Sequence, residues 1–212
     1  MRAAVSSPGG QVLATWALFL SGWGGAAWVV LGSQVGRQAL VDERVRVVEA
    51  FGGTVNDAAY AALQASPPFW VYFTSGGRLL LFPVVTLAVA LALYLWLGRQ
   101  GTGFLAALSV AVHASLALVL QQLVATPLHL VRESLTSPFN LAALLPLFDE
   151  GSLPARLLGT VEVFGLWWVG LLAVGCGVLA GRRAREFVMP LAGAYVGIAA
   201  IVAGLVVLAG GS

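Results

Sequence analysis

The run from Leu153 to Arg183, LPARLLGTVEVFGLWWVGLLAVGCGVLAGRR, narrows the possible folds more than any other part of this sequence. Its apolar part is about 20 residues long, enough to cross the hydrocarbon layer of a bilayer at 1.5 Å per residue. A transmembrane helix is expected here, with Glu162 about one turn inside its apolar part. An ionised, unpaired carboxylate at that depth costs roughly a few kcal/mol, so it needs a partner or a task. Gly177 and Gly181 make a small-xxx-small edge suited to close helix approach. Arg182, Arg183 and Arg185 then stop the segment on the cytoplasmic side.

The other apolar runs extend this reading to the whole chain. Of its 212 residues, 59% are hydrophobic and 9% charged, against about a quarter charged in a soluble domain. One integral membrane bundle is therefore expected, a single domain over residues 1–212. The formal charge of +2 is small and scattered, which gives no footprint for nucleic acid. Cys176 is the only cysteine, so an intramolecular disulfide is impossible. No Walker motif, metal-ligand spacing or glycine-rich phosphate loop occurs, and no cofactor or metal is expected.

Hydropathy and punctuation predict an all-α, polytopic bundle of five transmembrane helices over residues 12–32, 79–97, 104–125, 157–180 and 188–209. The first run is longer than the 7–15 apolar residues of a signal peptide and carries Trp16, Trp23 and Trp28, so it reads as an uncleaved span. Residues 33–68 form an extracytoplasmic helical hairpin. Val41, Val45, Val48 and Phe51 recur at helical spacing, Gly52-Gly53 ends the first arm, and Thr54-x-x-Asp57 opens the second as a capping box. Gly76-Gly77 separates an aromatic belt, Phe69 to Phe73, from the second span, which places Pro83 in a first turn. Pro127 ends the third span. Ser137-Pro138 caps a short interfacial helix over about 138–147. The Arg182–Arg185 cluster sets the N-terminus in the cytoplasm and the C-terminus outside.

Three polar residues fall within or beside the spans: Arg78, His113 and Glu162. An ion pair between Arg78 and Glu162 at the outer membrane edge is the preferred reading, because Arg78 starts the second span where Glu162 starts the fourth. His113, beside Ser109, reads as a neutral imidazole hydrogen-bonded across helices. Ser75 with His113 lacks the glycine frame of a hydrolase nucleophile, so no catalytic residue is assigned and no enzyme activity is expected. Gly193 and Gly197 continue the small-residue theme on the fifth span as a helix-packing surface. Lipid, together with a membrane-protein partner or a second copy, is the expected company of such a chain. The alternative is a small carrier or channel subunit using Glu162, Arg78 and His113 as a polar path, for which inverted repeats or paired broken helices are expected.

Two segments of the C-terminal half resemble motifs of the Yip-domain family of five-span membrane proteins. The first is Ser137-Pro138-Phe139-Asn140-Leu141-Ala142-Ala143-Leu144-Leu145-Pro146, similar to the family's S-N-x-A-A-F-L-P. The second is Glu162-Val163-Phe164-Gly165-Leu166-Trp167, similar to D-[LV]-F-x-[IL]-W with Glu for Asp. Asn140, Pro146, Phe164 and Trp167 carry the match, which covers residues 104–208. The resemblance implies a bacterial plasma-membrane protein with a cytoplasmic N-terminus and no catalytic residues. It also implies an adaptor or accessory role, beside an ABC-type exporter or in membrane trafficking.

Overall fold

The computed structural model describes residues 8–50, 52–65, 68–98, 101–133, 137–145 and 152–209, with side chains described except at 43, 47, 50, 68–80, 153, 156 and 206–209. Among the described residues every regular element is a helix: α1 (Pro8–Gly32), α2 (Gln34–Ala50), α3 (Asp57–Gln64), α4 (Pro68–Leu97), α5 (Phe104–Ala114), α6 (Leu116–Arg132), α7 (Leu141–Leu144), α8 (Leu153–Thr160), α9 (Val163–Ala180) and α10 (Arg185–Ala209). Among these residues, four stretches are long and apolar enough to cross a membrane: Pro8–Gly32, Phe104–Arg132, Val163–Ala180 and Arg185–Leu205. A shorter apolar segment, Leu81–Leu97, belongs to α4. The chain divides into two units, which are taken in turn.

The first unit comprises Met1–Gly25, Gly77–Gln122 and Phe164–Tyr195. One of its apolar clusters joins Val12, Trp16 and Phe19 of α1 to Val89 and Ala90 of α4 and to Leu108, Ala111 and Val112 of α5. A second joins Leu93 and Leu97 of α4, Ala107 and Ala114 of α5, Leu172, Ala173 and Cys176 of α9, and Phe187 of α10. The fully buried alanines explain the close packing, since a methyl group lets two helix backbones approach where a larger side chain would not. Gly22 faces Val119 at 3.3 Å from where a Cβ would stand, and Gly165 accepts the ring of Tyr195 against its Cα. Trp23 stacks on Phe82 with ring centroids 5.4 Å apart.

Three helix boundaries in this part of the chain differ from the sequence expectation. The helix of the second span runs unbroken from Pro68, through Gly76-Gly77, and Pro83 lies inside it. Two glycines weaken a helix by only about 1 kcal/mol each, less than backbone groups left unpaired in hydrocarbon. Pro127 likewise sits within α6, which continues to Arg132. The interruption in the third span falls instead at Ser115. Its N–H and its hydroxyl both donate to the Ala111 carbonyl, at 3.1 and 2.8 Å, the back-bonding that bends helices. Ser115 is buried beside Thr86, their oxygens 3.5 Å apart.

The second unit comprises Ala26–Gly76, Leu123–Val163 and Val196–Ser212. Here α1 gives way to α2 at Ser33, whose hydroxyl donates to the Val30 carbonyl (2.7 Å) and accepts the Gly36 N–H (2.9 Å). Gly36 lies directly against the carbonyl of Val30, with no room for a Cβ. At the far end of α2, Gly52 has φ +77°. The Gly52 and Gly53 N–H groups bond to the carbonyls of Glu49 and Val48, both at 2.9 Å, a Schellman stop. Two helices, α2 and α3, lie in the segment expected to form the hairpin, and the cap of the second differs from the one expected. Asn56, not Thr54, accepts the Ala59 N–H at 2.8 Å, so Asp57 becomes the first helical residue, where its charge suits the helix dipole. Gln38, Asp42, Tyr60 and Gln64 tie the arms together: Tyr60 donates to Asp42 at 3.0 Å and Gln38 donates to Tyr60 at 2.6 Å.

Candidate functional site

The best-formed polar constellation lies in the second unit, where the chain leaves helical geometry twice and the two departures pair. Between α8 and α9, Val161 is extended (φ −94°, ψ 115°). Before α7, Asn140 is extended as well (φ −78°, ψ 155°). Asn140 and Glu162 form an antiparallel bridge. Leu141 N–H donates to the Val161 carbonyl at 2.9 Å, and Val163 N–H donates to the Phe139 carbonyl at 3.0 Å. Backbone groups that a break would strand in an apolar layer are thereby satisfied.

Side chains then lock the bridge. The Asn140 amide donates to the Ser137 carbonyl at 2.7 Å, while its oxygen accepts the Ala143 N–H at 2.7 Å and caps α7. Both contacts are shielded, since Asn140 is 6% exposed. The Ser137 hydroxyl donates to Glu162 Oε2 at 2.7 Å and accepts the Phe139 N–H at 3.3 Å. With both roles of its oxygen used, Ser137 is a brace rather than a nucleophile. A hydroxyl donating to an ionised carboxylate is a charge-assisted bond, stronger than a neutral one. Short helices α7 and α8 pack on each other around this clasp, the Ala142 methyl 4.0 Å from where a Cβ on Gly159 would stand.

This arrangement corrects the expected position of Glu162. The acid is not one turn inside a continuous span. The run from Leu153 breaks at Val161-Glu162, and Glu162 directly precedes the first residue of α9. There it holds the N-cap position, where negative charge meets the positive end of a helix dipole. The interfacial helix is also shorter than expected, Leu141–Leu144 rather than about 138–147, with Asn140 as its cap in place of Ser137. The Ser137 oxygen accepts only the Phe139 N–H, within the turn that precedes α7, so it caps no helix.

The remaining sequence candidates are dispersed. Arg78 lies on α4 with its side chain outside the described residues, and so does the ion pair expected with Glu162. Ser75 and Pro146 fall outside the described side chains in the same way. His113 is exposed on α5, and its Nδ1 bonds to the Ser109 carbonyl of its own helix at 2.7 Å rather than across helices. Phe164 packs its ring 6.0 Å from that of Trp167, which is 45% exposed. Gly177 faces the backbone of Arg182 and Ala184, each 3.0 Å from where a Cβ would stand. Gly181 is the stop of α9: its φ is +63°, and the Arg182 and Gly181 N–H groups bond to Gly177 and Val178 at 3.0 and 3.4 Å. No atom stands within 4 Å of a Cβ placed on Gly193 or Gly197.

Sequence reading passed over one group. Gln122, Thr126 and His129 share a face of α6 spanning about 60° at 100° per residue, and His129 is buried. Ending the third span at Pro127 hid this spacing. Among the described residues, no group of three or more His, Cys, Asp or Glu side chains is arranged to hold a metal ion. Comparison with protein-family models, with characterised proteins and with solved structures finds no match.

Proposed function

We propose that this chain is a non-enzymatic, five-span protein of the bacterial plasma membrane, N-terminus in the cytoplasm and C-terminus outside. It acts as an adaptor or accessory subunit in the manner of the Yip-domain proteins it resembles. An ABC-type exporter or a membrane-trafficking assembly is the expected setting. The fifth crossing in this reading is α4, whose 30 residues extend about 45 Å.

One observation carries the adaptor role. The last apolar stretch, Arg185–Leu205, is only 11% buried over its best membrane window, against 44% for Phe104–Arg132. Its outward residues Ile198 and Ile201 are 64% and 63% exposed, and its glycines lie open. A helix that contributes so little to its own bundle, yet carries a smooth small-residue surface, is suited to lie against another membrane protein. The clasp supports the same reading from the other side, since its polar groups hold backbone rather than surround a substrate. A carrier path through His113 is disfavoured by that residue's outward position.

The test is photocrosslinking from Ile198 and Ile201 in the full chain in native membranes, with buried Ala173 as control. The expected result is a discrete protein adduct from the two outward positions, identified as a transporter or trafficking subunit. Lipid adducts alone from both positions refute the adaptor reading.

A further inference from the structure

We infer that two copies of this chain pair in the membrane through the exposed face of α5 that carries Ser109 and His113. His113 Nδ1 stands 2.7 Å from the Ser109 carbonyl oxygen. A carbonyl only accepts, so Nδ1 bears the proton, and Nε2 is left as an acceptor. The Ser109 hydroxyl is 3.4 Å from Nδ1. Because Nδ1 already donates, that hydroxyl keeps its own proton to give.

Depth makes these two groups informative. His113 lies nine residues after Phe104, about 14 Å along the helix and near the middle of a hydrocarbon layer about 30 Å thick. Polar side chains at such depth face a bundle interior or a partner, because lipid offers no hydrogen bond. Among the described residues His113 does neither: it is exposed, beside Leu105 (47%) and Leu116 (40%), whereas Ala107, Ala111 and Ala114 bury the opposite side of α5.

A second copy fits this face better than any other helix. Two copies related by a two-fold axis along the membrane normal run α5 parallel to α5, and in such a pair a contact of one residue with another is repeated in reverse. The face offers a donor and an acceptor one turn apart. Ser109 of each copy therefore donates to His113 Nε2 of the other, two symmetric bonds that satisfy both polar groups in each copy. A foreign helix would have to present the matching pair at the same depth and spacing. The open glycines of α10 are the competing surface, but they carry no polar group that demands a partner.

Cysteine crosslinking of the full chain in native membranes tests the pairing. Native Cys176 is fully buried and stays in place. Leu105→Cys and Leu116→Cys should each give a disulfide-linked dimer on oxidation, while Val178→Cys and Ile198→Cys, on other exposed faces, should give little. Adding His113→Leu to Leu116→Cys removes two symmetric bonds. At the average strength of hydrogen bonds between membrane helices, that weakens association about eightfold. His113→Gln, which retains an acceptor, should keep most of the dimer. Ser109→Ala, a smaller change, carries the same expectation as His113→Leu should the latter fail to accumulate. Equal or greater crosslinking at Ile198, no dimer at Leu105 and Leu116, or a yield unmoved by His113→Leu and Ser109→Ala overturns the proposal.

Discussion

Asn140→Ala is the sharpest probe of the clasp. The substitution deletes the amide bond to the Ser137 carbonyl and the cap on Ala143, both at 2.7 Å. Losing an Asn cap lowers stability by about 1 kcal/mol. The second bond adds about 1 kcal/mol, and burial at 6% exposure raises the sum because the groups left behind have no water to replace it. A total near 2–3 kcal/mol is expected. For a chain of this length each kcal/mol moves Tm by roughly 2–4 °C, so the shift should be about 4–12 °C. The assay is the thermal midpoint of the purified chain in mild detergent, read as loss of the monodisperse peak at a fixed heating rate, since unfolding there is a rate as much as an equilibrium. Asn140→Asp separates the two contacts. It keeps the cap acceptor but has no amide to donate, and it sets a second acid beside Glu162. It should therefore do no better than Asn140→Ala. A stable Asn140→Asp, or an Asn140→Ala shift under 2 °C, refutes the reasoning.

Ser137→Ala and Glu162→Ala should each lower the same midpoint, and the double variant should lose less than their sum, because the 2.7 Å bond can be broken only once; strict additivity means the two are not coupled. Gly36→Ala should lower stability by about 1–3 kcal/mol, since the new Cβ meets the Val30 carbonyl and backbone must move. Gly25→Ala, with nothing within 4 Å, should be neutral or slightly stabilising; equal effects from the two glycines would show that the bend at Ser33 is not tight. Reporter fusions should place Arg99 and Arg183 in the cytoplasm and Asp57, Asp149 and Ser212 outside, and a cytoplasmic Ser212 would remove both the five-span count and the family resemblance.

The long apolar helices were legible because length and composition alone decide whether a segment suits a membrane. Their punctuation was less so, for one reason. Gly76-Gly77 and Pro127 are stop signals in water, where a broken helix exposes its backbone to solvent. In hydrocarbon the same break strands backbone groups, so both positions stay helical. Where the chain does break, at Val161-Glu162, the extended backbone around Asn140 supplies the missing bonds through Leu141 and Phe139. Nothing local to Glu162 announces that partner. The two motif segments that carry the family resemblance are nonetheless the ones that meet, through Asn140 and Glu162.

The choice of caps follows from the same long-range bond. Ser137 and Asn140 are both good caps by residue type, and Pro138 in the next position favours the serine. Local propensity therefore points to a helix starting at Pro138. Once Glu162 lies across from it, the serine hydroxyl donates to the carboxylate, and in that orientation its oxygen accepts only the Phe139 N–H, two residues on. Asn140 can then cap while its amide turns back to hold the Ser137 carbonyl. Three residues are thus set by one acid: Ser137 as brace, Asn140 as cap, and Val163 as the first residue of α9. Replacing Glu162 by a residue that cannot accept should release Ser137 to compete for the cap, and α7 should lengthen toward Pro138.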